Sequence, residues 1–263
     1  MLKTLKQKPL LASLLIVLLY ACWFLSPLLF GTSNSNLHGT KAMASAGIPE
    51  LITASVLILF VTMLGWWKNI GFRDVKPSSL KFIIPIVLLI ISMLGLSIGF
   101  DKSGAWFLGF HSSKELFIML GTLLLLGFVE EGIFRGVLFY GLKTTCTPFY
   151  TVFLSALLFG LFHFVNLLVG ADFTDTAYQV IHASAMGFLY ASLRLSIGAI
   201  WPLMLLHTFW DFSLYVMQNT MTASSHTTTT PGTFSVGTSM AVAMPALAYG
   251  LFVYWRWSKT QHI

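Results

Sequence analysis

A succession of apolar runs, each close to the ~20 residues a helix needs to cross a hydrocarbon core, constrains this chain more than any other feature. Eight are read, over 9–31, 48–67, 82–100, 115–140, 148–169, 176–193, 196–216 and 237–256. Between them lie short polar turns and two longer segments, 32–47 and 217–236, rich in Ser, Thr, Gly and Asn. Only 9% of the 263 residues are charged, against about a quarter in an ordinary soluble domain. Water cannot be the solvent for such a surface. In lipid each backbone group must be satisfied within its own segment, so the expected fold is all-α, a polytopic transmembrane helical bundle of about eight spans.

The net charge of +6 does not point to nucleic acid, because the basic residues stand singly at the ends of apolar runs. Their distribution orients the chain. With the N-terminus inside, the inner segments hold Lys3, Lys6, Lys8, Lys68, Arg73, Lys76, Lys81, Lys143, Arg194, Arg256 and Lys259. The outer ones hold only Lys41, Lys102 and Lys114, which places both termini in the cytoplasm. Trp66, Trp67, Trp255 and Trp257 stand at run ends, where an aromatic belt belongs. Two cysteines, Cys22 and Cys146, imply neither a disulfide framework nor a thiolate metal site. The run from Pro9 to Gly31 exceeds a secretory signal core, so it reads as a retained first helix.

Glu130, Glu131, Arg135 and Asp211 are charged residues inside spans, joined there by His163, His182 and His207. Four central charges oppose insertion by roughly 10 kcal/mol if their costs add, so they are expected to be paired or to line a hydrated cavity. Glu131 and Arg135 are four apart on one helix face, as are Phe159 and His163, and His207 and Asp211. Counting from Lys143, Pro148 and Arg194, residues Glu130, His163 and His207 each lie about 20 Å from the cytoplasmic ends of their helices. Three helices thus bring polar side chains to one depth, as a shared site requires.

The segment Glu130-Glu131-Gly132-Ile133-Phe134-Arg135 resembles the EExxxR motif of the CAAX-protease and bacteriocin-processing family of intramembrane proteases. Phe159 to His163 resembles its FxxxH motif. Gly187-Phe188-Leu189-Tyr190 followed by His207-Thr208-Phe209-Trp210-Asp211 resembles its last stretch, which closes in HxxxN or HxxxD. The resemblance implies peptide-bond hydrolysis without a covalent intermediate. It makes Glu130 the base that activates water and His163 the residue that orients the water or shuttles a proton. His207 and Asp211 would stabilise the oxyanion. Glu131, Arg135 and Phe159 are supporting residues in this reading. Asp211 departs from the prenyl-protein members, which carry Asn; an ionised Asp cannot donate a hydrogen bond.

The resemblance divides the chain into 1–114, with the first three helices; 115–216, the catalytic core; and 217–263, an outer loop and last helix. No cofactor is implied, and the partner is a membrane-associated protein or peptide substrate. A zinc-dependent version of the same chemistry uses Glu130, His163, His207 and Asp211 as ligands. A non-catalytic immunity or scaffold protein is the alternative from another class. A proton-coupled transporter is disfavoured because no paired, Gly/Pro-broken segments occur in matching halves. His182 reads as structural or pore-lining. The compact loops suggest a prokaryotic plasma membrane. Neither the substrate nor the oligomeric state is legible.

Overall fold

The computed structural model describes residues 2–25, 40–100, 110, 112–225 and 236–261. These are helical apart from their connecting turns. A short α1 (Leu2–Gln7) leads into α2 (Pro9–Phe24), which begins on Pro9, where a missing N–H costs nothing. Helix α3 (Thr40–Leu64) ends at Gly65, whose φ of 70° suits the left-handed position beyond a helix. A 3₁₀ turn (Pro77–Ile83) runs into α4 (Ile84–Phe100). Helix α5 (Ser113–Glu131) starts at Ser112, which accepts from the Glu115 N–H. It continues through a π-helical segment (Gly132–Leu138) into α6 (Phe139–Lys143).

Helix α7 (Pro148–Phe162) and the single turn α8 (Val165–Leu168) come next. Asp172 then caps α9 (Phe173–Ile197) by accepting from the N–H groups of Thr174 and Asp175. Helices α10 (Trp201–Ser225) and α11 (Val236–Lys259) complete the chain. Within this bundle α9 is the central element, packed on α7 and α11, while α5 packs between α3 and α10.

Five segments among the described residues are long and apolar enough to cross a membrane: Gly47–Leu64, Pro77–Gly99, Ser113–Lys143, Pro148–Leu168 and Phe173–Ile197. Helices α3 and α4 turn Leu51, Val56, Leu59, Leu88, Ile91 and Leu96 outward. An apolar surface of that extent needs lipid around it, and the protein is a multi-pass integral membrane protein.

Several boundaries differ from the sequence reading. The sixth and seventh spans divide at Gly198–Ile200, so Arg194 is a buried residue of α9 and not a loop cation. Part of the expected outer segment 32–47 is the start of α3, and α10 runs on to Ser225, with 26–39 and 226–235 outside the described residues. The fifth span breaks at His163. Trp66 is buried edge-on to Tyr140 and Phe60, so it packs the core instead of marking an interface.

Candidate active site

Close contact between α5 and α10 begins at Gly127. A Cβ there would lie 2.8 Å from the Met204 carbonyl oxygen, so only glycine lets the backbones approach this far. On the facing helix the Thr208 hydroxyl contacts the carbonyls of Leu123, 3.2 Å away, and Met204, 2.9 Å away. This crossing sets the neighbouring His207 against the last turn of α5. His207 Nδ1 lies 2.9 Å from Glu131 Oε1. Its Nε2 faces the other way, 3.6 Å from Glu130 Oε2 and 3.3 Å from Asp211 Oδ2. One imidazole therefore stands among three carboxylates, and a protonated ring can donate from both nitrogens.

Exposure separates these groups. The Glu131 and Arg135 side chains are each 1% exposed, whereas Glu130 reaches 10%, His207 12% and Asp211 27%. Arg135 Nη1 lies 3.1 Å from Glu131 Oε1, but neither Nη1 nor Nε has an aligned hydrogen-bond acceptor among the described residues. The contact is Coulombic. The guanidinium also lies over the Phe159 ring, 4.1 Å from its centroid, a contact worth about 2 kcal/mol when desolvated. Phe159 thus packs the arginine as well as the His163 ring. Room for the guanidinium comes from Gly187 on α9, whose Cβ would lie 3.1 Å from Arg135 Nη2.

His163 ends α7, and its Nδ1 lies 3.0 Å from the Phe159 carbonyl oxygen. A carbonyl only accepts, so Nδ1 carries the proton and a neutral ring keeps its lone pair on Nε2. Glu130, Glu131, Arg135, His163, His207 and Asp211 all line one cavity of about 370 Å³. Phe24 of α2 closes part of it and stands edge-on to Phe162, which stacks on Tyr20.

Three contributions go beyond what the sequence reading assigns. Glu131 makes the short contact to His207, so it is more than an ion-pair partner of Arg135. Tyr190, from the motif-bearing part of α9, lines the cavity 5.9 Å from the His207 ring, centroid to centroid. Asn166 and Gln179 also line the cavity and share a 2.9 Å hydrogen bond between α8 and α9. The tyrosine had a signal in its motif; the amide pair had none. His182 also lines the cavity, stacked on Trp210.

The four-ligand zinc arrangement is not assembled. Among the described residues no three His, Cys, Asp or Glu side chains are placed to hold one ion. The Nδ1 atoms of His163 and His207 face the Phe159 carbonyl and Glu131.

Residues 112–213 match the family model described as Rce1-like, type II CAAX prenyl endopeptidase Rce1-like. Comparison with curated proteins and with solved structures returned no match for this chain.

Proposed function

We propose that this chain, whose residues 112–213 belong to the Rce1-like family of type II CAAX prenyl endopeptidases, hydrolyses a peptide bond of a membrane-associated protein or peptide. One observation carries the reading: Glu130, His163, His207 and Asp211 face a common cavity, with the Glu131–Arg135 pair enclosed behind them. Glu130 takes a proton from water as the oxygen attacks the scissile carbonyl carbon. His163 Nε2 orients that water. A proton on His207 Nε2 meets the oxygen that becomes negative, while Glu131 holds the opposite side of the ring. Asp211 keeps Nε2 turned toward the cavity. The tetrahedral species collapses when Glu130 returns its proton to the leaving amine, breaking the C–N bond.

In this reading 115–216 is the catalytic core, 1–114 supports it, and 217–263 closes the bundle. Together α2, α10, α11 and the five long segments make eight spans, with both termini in the cytoplasm of a prokaryotic plasma membrane.

The test is cleavage of quenched peptides and membrane proteins by detergent-purified protein. Glu130→Gln is expected to lower turnover by at least ~10²-fold, the lower range for a positioned acid–base group. EDTA is expected to leave it unchanged. Loss of activity on chelation would move the chemistry to a metal. Equal activity in wild type and Glu130→Gln would end the glutamate mechanism.

A further inference from the structure

The π segment between α5 and α6 sits immediately after the two glutamates, and its i→i+5 spacing leaves carbonyls that the helix does not serve in the ordinary way. The Phe139 N–H bonds to Phe134 O, five residues back, and also to Gly136 O, passing over Arg135. Side chains from three other helices reach this backbone. Ser155 Oγ of α7 donates to Phe134 O at 3.0 Å, and Arg194 Nε of α9 donates to Arg135 O at 3.2 Å. Ser13 Oγ of α2 lies 2.8 Å from Val137 O, sharing its one proton with Pro9 O at 2.7 Å. Ser13 and Ser155 are fully buried, and Arg194 is 8% exposed.

Arg194 is itself fixed. Its Nη1 donates to Gly198 O at 2.6 Å, and its guanidinium lies 5.6 Å from the Phe139 ring centroid. Its place is kept open by Gly71, where any Cβ would collide with the guanidinium; Gly71 O in turn accepts from the Ile200 N–H. Arg194 is buried among carbonyls and is absent from the cavity lining, so it has no part in the water chemistry. It is built to hold a backbone.

We propose that Ser155 and Arg194, with Ser13 as a weaker third, are positioning residues that clamp 132–138 in the π form and so set the glutamates against His207. Relaxing this stretch to an α-helix removes one residue per turn, a rotation of about 100° between the helix on its N-terminal side and the helix on its C-terminal side. Glu131 stands just before that stretch, on α5, and Arg135 lies in its middle. The Glu131–His207 contact at 2.9 Å and the seat of the Arg135 guanidinium, 4.1 Å from the Phe159 ring centroid, cannot both survive that rotation.

The kinetic arm of the test rests on the protease reading; an exchange arm does not. Ser155→Ala is expected to lower kcat by about 3- to 10-fold with KM within twofold, the effect of one lost buried hydrogen bond on transition-state geometry. Arg194→Met is expected to lower kcat at least ~10-fold, since two carbonyls lose their donor. Arg194→Lys, which keeps a donor, recovers part of that loss and replaces the Met variant if the latter does not fold. In parallel, amide hydrogen exchange over 132–139 should accelerate at least ~10-fold in Ser155→Ala while α11 is unaffected. A variant that is merely less stable, with unchanged kcat per folded molecule, overturns the proposal, as does unchanged exchange over 132–139. If wild type cleaves nothing under any condition, the protease reading fails and exchange alone decides the clamp.

Discussion

Glu131 and Arg135 meet the cost of charge inside a membrane protein by burial together, with His207 and the Phe159 ring as the other neighbours. Removing one partner leaves the other uncompensated. Glu131→Gln is therefore expected to destabilise the protein by about 3–5 kcal/mol, seen as a lower Tm in detergent, and to release His207. Asp211 behaves differently because its side chain is 27% exposed. Asp211→Asn keeps an oxygen acceptor for His207 and adds a donor, so Tm should hold and cleavage should persist. Asp211→Leu should lower kcat by about 10²-fold, because His207, the group that meets the oxyanion, is no longer held toward the cavity. An Asn variant as inactive as the Leu variant would show that the negative charge itself is needed. The i,i+4 pair was legible from spacing alone. The contact between Glu131 and His207 was not, because these residues are 76 apart and local periodicity does not encode how one helix is rotated against another.

At the scale of elements, the site depends on two interruptions of regular helix: the π segment after Glu131 and the break of α7 at His163. The apolar runs predicted both spans but no interruption in either, since a π turn has no hydropathy signature. Helix approach is a second control. Gly127→Val puts a branched Cβ 2.8 Å from both the Met204 carbonyl oxygen and the Thr208 hydroxyl. Overpacking of this kind costs about 1–3 kcal/mol, and here it also separates Glu131 from His207. The expected result is a folded protein with a lowered Tm and a fall in kcat larger than that fall in stability explains. Unchanged kcat would mean that α5 and α10 can part without disturbing the chemistry.

The whole molecule was the most legible scale, because a bilayer tolerates little besides helices and the apolar runs are long. Orientation is a separate matter and can be tested with the native thiols. Cys146 lies in the turn between α6 and α7, and Cys22 lies within α2. A membrane-impermeant maleimide should label Cys146 in inside-out vesicles and not in right-side-out ones, and Cys22 in neither. Labelling of Cys146 from outside would invert the topology.

The polar lining of the cavity has its own consequence for what the protein can cut. Within a substrate helix each carbonyl is hydrogen-bonded along that helix, whereas the cavity wall presents Glu130, His163, His207, Asn166 and Gln179. Backbone groups freed from a helix have no partner in hydrocarbon but face polar side chains here. On the protease reading, a transmembrane substrate is then selected by how cheaply it frays near the bond to be cut. Proline or glycine a few residues away should make a good substrate of a poor one, read as faster cleavage of the loosened peptide.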